Sequence, residues 1–203
     1  DGGQALGILL EDRGEDLHGV LGLALLEHLL GRGDRVGERL APRHPDQLVD
    51  EGPRAVPTVS AERVFTLGAN GLIQCTDVQS GKTLWVVNAK KQFRADQGFF
   101  GFACSPMVSG ANLLINISGN NAGIIALDIN SGKLRWSVAK EKASCASPIL
   151  AVINDKPQAI FFTRDGVVST NPMSGKINFS HPWRPAINAS VNACTPVAVG
   201  NLI

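Results

Sequence analysis

Side chains able to do chemistry are few in this chain and thinly spread. The four cysteines, Cys75, Cys104, Cys145 and Cys194, lie far apart, and the four histidines, His18, His28, His44 and His181, are scattered. Neither set has the close paired spacing of a zinc site. Three cysteines precede a proline at matching positions, in Cys104-Ser105-Pro106, Cys145-Ala146-Ser147-Pro148 and Cys194-Thr195-Pro196. Small side chains buried in equivalent strands would give this regularity; disulfide pairing and metal binding are the alternatives. Beyond residue 51 the only glutamates are Glu62 and Glu141, so no carboxylate pair suited to general acid–base work stands out. Gly119 to Gly123 lacks the Lys-Ser/Thr that would follow in a phosphate loop.

Two stretches combine arginine with aromatics. One is Arg94-Ala95-Asp96-Gln97-Gly98-Phe99-Phe100-Gly101-Phe102. The other is His181-Pro182-Trp183-Arg184, which leads to Ser190 and Asn192. Exposed aromatics beside guanidinium groups can clamp a planar or anionic ligand. Arg94, Phe99, Phe100, Phe102, Trp183, Arg184, Ser190 and Asn192 are therefore the candidate ligand- or partner-binding residues. The alternative is that these aromatics pack beneath their own loops. No catalytic residue, cofactor-binding residue or metal ligand is assigned.

The elements that must position these loops are repeated. Ala126-Leu127-Asp128-Ile129-Asn130-Ser131-Gly132-Lys133-Leu134-Arg135-Trp136 reads as a strand, a tight turn and a second strand. Cys75 to Trp85 repeats it upstream, and Thr170 to Phe179 repeats it downstream with Asn171 for Asp and Phe179 for Trp. Recurrence of a supersecondary unit at a period of roughly 40 to 50 residues marks a repeat fold. An Asp ending a strand accepts hydrogen bonds from turn amides two and three residues on. Gly81, Gly132 and Gly175 suit a backbone at positive φ. Each also leaves a bare peptide on which an aromatic from a neighbouring unit can lie. Trp85, Trp136 and Phe179, four residues after these glycines, supply a large apolar area, and the indoles add one N–H donor.

The strand signals around these turns complete four-stranded units. Val56 to Val59, Arg63 to Leu67, Leu72 to Thr76 and Lys82 to Asn88 form the first, with Asn70-Gly71 as a hairpin turn. Four antiparallel strands joined by tight turns make one propeller blade. The expectation is an all-β partial propeller, with blades at about 55–90, 103–140 and 145–182. The start of another falls at 193–203, where Thr195 to Val199 reads as a strand. Lys90-Lys91 reads as a solvated loop pair. Loops that enter the innermost strand of each blade gather near the channel mouth, and the two aromatic–arginine stretches are such loops.

Residues 1–51 differ in kind. They contain arginine but no lysine and no aromatic residue. Leu17, Val20, Leu21, Ala24, Leu25 and Leu29 recur at helical spacing, after which Gly, Pro and Arg predominate. This predicts a helical and coil segment set apart from the propeller at 52–203. The 203 residues carry 19 Lys and Arg against 18 Asp and Glu, a formal charge of +1. No charge field points to nucleic acid, and no apolar run is long enough to span a bilayer as a helix. The chain opens on Asp1 and closes on Leu202-Ile203 within a strand pattern, so further blades are expected outside it.

The repeats resemble the tryptophan-docking motif of the pyrroloquinoline-quinone (PQQ) dehydrogenases and their relatives, Ala-x-Asp-x-x-Thr-Gly-x-x-x-Trp. Ala126 to Trp136 matches with Ser131 for Thr, and Cys75 to Trp85 with Cys75 for Ala. Gly52-Pro53-Arg54-Ala55-Val56-Pro57-Thr58-Val59, and Pro182-Trp183-Arg184 followed by Ser190 to Val197, are similar to segments of PQQ-like propellers of planctomycete-type bacteria. The resemblance covers about 52–203. It implies a propeller whose Asp77, Gly81, Trp85, Asp128, Gly132, Trp136, Asn171, Gly175 and Phe179 fasten blades together, with a weaker junction at Phe179. It also implies export to the periplasm or cell envelope. The expected function is a non-catalytic scaffold that presents loops to a protein or polymer partner, as the propeller lipoprotein of outer-membrane barrel assembly does. The alternative is part of a quinoprotein oxidising an alcohol or sugar with PQQ and calcium. That family's vicinal Cys-Cys pair does not occur here.

Overall fold

The computed structural model describes residues 54–98, 100–187 and 191–203. The helix expected over Leu17 to Leu29, and the rest of 1–51, lie outside these residues. Three four-stranded antiparallel sheets follow one another along the chain, each with its strands in sequence order. The first contains β1 (Thr58–Ser60), β2 (Arg63–Leu67), β3 (Leu72–Asp77) and β4 (Thr83–Asn88). The second contains β5 (Met107–Ser109), β6 (Asn112–Gly119), β7 (Ala122–Asp128) and β8 (Leu134–Val138). The third contains β9 (Ile149–Ile153), β10 (Lys156–Phe162), β11 (Gly166–Thr170) and β12 (Ile177–Pro182). This is the partial propeller expected from the repeats.

The middle blade explains the chain's longest apolar strands. Successive side chains of a strand point to opposite faces. Leu113, Ile115, Ile117, Ile125 and Leu127 pack against Phe65, Leu67, Ile73 and Cys75 of the first blade. Leu114, Ile124 and Ala126 alternate with them and pack against Ala159, Phe161 and Val168 of the third. With both faces covered, β6 and β7 carry apolar residues on both faces rather than on one, interrupted in β6 by the buried Asn112 and Asn116. Each Ile or Leu so buried contributes about 1.5–3 kcal/mol.

Two local readings differ from expectation. Residues Ala89–Phe93 form a helical turn, α1, where a loop was expected. Asn88 caps it by accepting from the Lys91 amide at 3.0 Å, and Lys90 and Lys91 stay exposed. Ala89 and Phe93 are buried, so two apolar anchors at helical spacing override a short lysine-rich sequence. The strand expected over Thr195 to Val199 is reduced to a single bridge between Val199 and Leu202. The described residues give that segment no neighbouring strand to complete a ladder.

Candidate functional site

The recurring turns are built alike. Asp128 Oδ1 accepts from the amides of Asn130 (3.0 Å) and Ser131 (2.9 Å), and Gly132 N–H donates to Asp128 O at 2.8 Å. Asp77 Oδ1 accepts from Ser80 N–H at 2.7 Å, and Asn171 Oδ1 from Met173 and Ser174 amides at 2.9 and 3.0 Å. Arg135 donates through Nε to Asp128 Oδ2 at 3.0 Å and pairs with it through Nη2. This Arg135 hydrogen bond, joined by those from Ser131 and Asn130, lowers the Asp128 pKa to about 2. Hydrogen bonds from the Ser80 hydroxyl and amide likewise hold Asp77 below its usual value.

Gly132 and Gly175 have φ of +68° and +74°, where a side chain is strained. They are also covered. A Cβ on Gly132 would lie 2.8 Å from the Trp85 indole, and one on Gly175 would lie 2.6 Å from the Trp136 indole. Trp85 Nε1 donates to Ile129 O at 3.1 Å. The corresponding donor of Trp136 is buried without a hydrogen-bond partner. The carbonyl at the matching position, Pro172 O, accepts instead from Asn112 Nδ2 at 2.9 Å. Trp85 and Trp136 thus each lie against the turn glycine of the following blade.

The two aromatic–arginine loops are placed residue by residue as follows. Phe99 and Ser190 lie outside the described residues. Arg94 closes α1 in a left-handed conformation, φ +52°, with its side chain exposed. Phe102 is buried in the core between the first two blades, so it supports its loop from below rather than meeting a ligand. Phe100 is partly exposed. Asn192 is buried, and its Nδ2 donates to Thr163 O at 2.8 Å and Trp183 O at 3.1 Å. It therefore ties the second loop to the third blade.

Among the described residues Trp183 is the most solvent-facing large aromatic, 62% exposed, and Arg184 and Ile187 beside it are exposed too. Its backbone is nevertheless fixed on both sides. Trp183 N–H donates to Asp165 O at 3.1 Å, and Trp183 O accepts from Asn192. Gly166 makes this approach possible, because a Cβ there would fall 2.1 Å from His181 O and 2.7 Å from Trp183 N.

The two loops meet at a cavity of about 240 Å³. Gln97, Phe100 and Gly101 come from the first loop, Val191 from the second, and Ser144, Cys145 and Arg164 from the third blade. Sequence reasoning missed these last three. Arg164-Asp165-Gly166 reads only as a turn, and Cys145 only as one of the repeated cysteines. Cys75 and Cys104 are buried, Cys145 is half-buried, Cys194 is exposed, and all four are free thiols. Desolvation raises the Cys145 pKa, with Arg54 opposing it. At neutral pH Cys145 therefore offers the cavity a polarizable neutral surface rather than a thiolate. Aromatic, aliphatic and guanidinium groups together suit a small side chain with an apolar stem and an acidic or polar end.

Among the described residues, no group of three or more His, Cys, Asp or Glu is arranged to hold a metal ion. No described helix is long and apolar enough to cross a membrane.

Comparison with known proteins now adds the lineage of this fold. The family model for outer membrane protein assembly factor BamB matches residues 31–201. The chain belongs to this family. Among solved structures, BamB from Moraxella catarrhalis is 19% identical with a TM-score of 0.48, over 64% of this chain and 37% of that one. Quinohemoprotein alcohol dehydrogenase from Comamonas testosteroni is 16% identical with a TM-score of 0.50, over 65% of this chain and 21% of that one. The likeness to the dehydrogenase is one of fold, shared by PQQ-like propellers. The chain thus spans well under half the length of either protein. A search of curated proteins finds no match.

Proposed function

We propose that this BamB-like chain is a non-catalytic binding scaffold of the cell envelope that offers its loop surface to a protein partner. The observation that carries this reading is Trp183. It is 62% exposed, yet its backbone is hydrogen-bonded to Asp165 and Asn192. An exposed tryptophan on an already fixed backbone has less backbone entropy to lose on binding, and Trp and Arg dominate the energetics of protein interfaces. Arg184 stands beside it, and Phe100 lines the neighbouring cavity. The envelope location rests on the family's description as an outer membrane assembly factor. The Trp-Gly junctions are read as the docking fasteners of that architecture, spent on structure rather than recognition.

The test places a photo-crosslinking residue at Trp183 and, as a control, at Lys133 on an exposed turn of the second blade, in cells expressing the full gene. Capture of one defined envelope protein from position 183 alone, abolished by Arg184→Glu, is expected. In parallel, purified full-length protein is given PQQ, Ca²⁺, alcohols or sugars, and an artificial electron acceptor. Stoichiometric PQQ binding with turnover would overturn the scaffold reading in favour of a quinoprotein dehydrogenase.

A further inference from the structure

Charge divides unevenly between the two ends of the blades. Residues 54–203 carry fourteen Lys and Arg against seven Asp and Glu. The loops from one blade to the next lie at one end, with the turns between second and third strands, and the recurring Asp-to-Gly turns lie at the other. The loop end holds eight of the cations and three of the carboxylates, the opposite end six and four. All three loop-end carboxylates are turned to backbone amides. Asp96 Oδ1 accepts from Gly98 N–H at 3.0 Å, Asp165 Oδ2 from Lys142 N–H at 2.9 Å, and Glu141 Oε2 from Lys140 N–H at 2.8 Å. At the opposite end Asp128 pairs with Arg135. Among the described residues no carboxylate is paired with the exposed side chains of Lys91, Arg94, Lys140 or Lys142.

These cations gather around the cavity between the two loops. Lys90 Nζ donates to Gln97 Oε1 at 2.8 Å, and Gln97 lines the cavity. Lys142 is tied by its backbone to the turn that carries Arg164, because Arg164 N–H donates to Lys142 O at 3.0 Å and Lys142 N–H to Asp165. Arg164 lines the cavity with Phe100 and Val191. We propose that the partner of this loop end presents an acidic segment, with one Glu or Asp side chain entering the cavity beside Arg164 and its neighbouring carboxylates over Lys90 and Lys142. This rests on the reading of the loop end as a protein-binding surface and adds the chemistry of what it binds. Phe100 and Val191 suit the apolar stem of the entering side chain, and the guanidinium suits its carboxylate. Opposite charge steers the encounter, and like charge rejects wrong partners. A cavity of about 240 Å³ takes a single side chain, which favours a peptide over a lipid or nucleic-acid surface. Further blades of a propeller are added beside the outer sheets, around the channel, and leave the loop end of these three in place.

The experiment titrates purified full-length protein into three dye-labelled peptides of equal length, one rich in Glu, one with Gln at the same positions and one with Lys. Anisotropy is read from about 50 to 500 mM salt. The Glu peptide alone is expected to bind, more weakly as salt rises. Lys90→Glu with Lys142→Glu should weaken it about tenfold or more, since like charges then face each other, and Arg164→Gln should weaken it at high salt as well. Lys133→Glu with Lys176→Glu, at the opposite end, should leave it unchanged. Circular dichroism confirms β structure in each variant, and the exposed lysine pair carries the test if Arg164→Gln does not fold. Equal binding of the Glu and Gln peptides overturns the proposal, as does binding indifferent to the Lys90 and Lys142 reversals. Preferential binding of phosphatidylglycerol vesicles overturns it in favour of a membrane surface. Crosslinking from position 183 separates the two readings. A partner still captured by the Lys90→Glu, Lys142→Glu protein leaves the scaffold standing and removes the acidic segment, whereas no capture from wild type removes the scaffold itself.

Discussion

The indole of Trp85 lies directly over Gly132, so close that a Cβ there would sit 2.8 Å from the ring. Gly81 has nearly the same φ but no described atom within 4 Å of its Cβ position. The pair separates backbone strain from packing. Gly81→Ala incurs only the left-handed strain, about 1–2 kcal/mol. Gly132→Ala adds overpacking against a rigid ring, for a total of roughly 2–5 kcal/mol. Urea unfolding of dilute protein should show this order, and equal losses would show that the indole contact contributes nothing.

Trp85 and Trp136 should respond differently to the same substitution. Trp85→Phe removes a hydrogen bond to Ile129 O, worth about 0.5–1.5 kcal/mol, as well as ring area. Trp136→Phe removes ring area but also removes a buried donor that has no partner, relieving a desolvation cost. Trp85→Phe is therefore expected to be the more destabilising, by about 1 kcal/mol or more. Thermal unfolding of the two variants settles it, and the reverse order would mean that the Trp136 N–H is satisfied in solution.

Asp128 makes the second turn acid-sensitive. Its folded pKa is about 2, set chiefly by Arg135, against a reference value of 3.8. A depressed carboxyl pKa contributes stability above the unfolded value, and that stability is lost as pH falls through the folded one. The loss should therefore run from about pH 4 down to 2. Asp128→Asn should flatten this slope while keeping the turn, because Asn171 holds the third turn through the same amide bonds. Acid titration followed by near-ultraviolet circular dichroism reads the difference. An unchanged acid midpoint in Asp128→Asn would assign the sensitivity elsewhere.

The four thiols should react in order of burial. Desolvation raises the pKa of Cys75 and of Cys104 to about 11, and both side chains are buried. Cys194 is exposed and Cys145 only half-buried. Brief alkylation at pH 7.5, read by peptide mass spectrometry, should modify Cys194 first, Cys145 slowly, and the other two only after unfolding. Early modification of Cys104 would show that the interface between the first two blades opens locally.

The blades were legible in the sequence because each repeats a strand-turn-strand unit whose turn needs fixed residues. Asp128, Gly132 and Trp136 announce one another by spacing, and their copies confirm the period. The site was legible only in part. Trp183 and Phe100 stand out as aromatics beside arginine, but Phe102, two residues from Phe100 in the same stretch, is buried. Strand and loop patterns in one segment carry no information on which ring has a second blade beneath it. Ser144, Cys145 and Arg164 reach the cavity through tertiary placement alone. The helical turn at Ala89–Phe93 was hidden for the same reason, since burial of Ala89 and Phe93 stabilises a turn too short to form unaided.

Asn192 is the residue on which the exposed loop depends. Its Nδ2 bridges Thr163 O in the third blade and Trp183 O in the loop, so one buried amide fixes the path of the chain around Trp183. Asn192→Ala leaves both carbonyls without that donor, a local cost of roughly 1–3 kcal/mol. Asn192→Asp should be worse, because it turns a carboxylate oxygen toward two carbonyl oxygens. The blade cores do not involve this residue, so global unfolding should shift less than local opening. Hydrogen exchange across residues 183–187 should accelerate about tenfold for each 1.4 kcal/mol lost, while β6 and β7 stay protected. If Trp183 is the anchor of a protein interface, the same variants should lower partner affinity without altering the residues that touch the partner. Binding indifferent to both would place the interface on another surface.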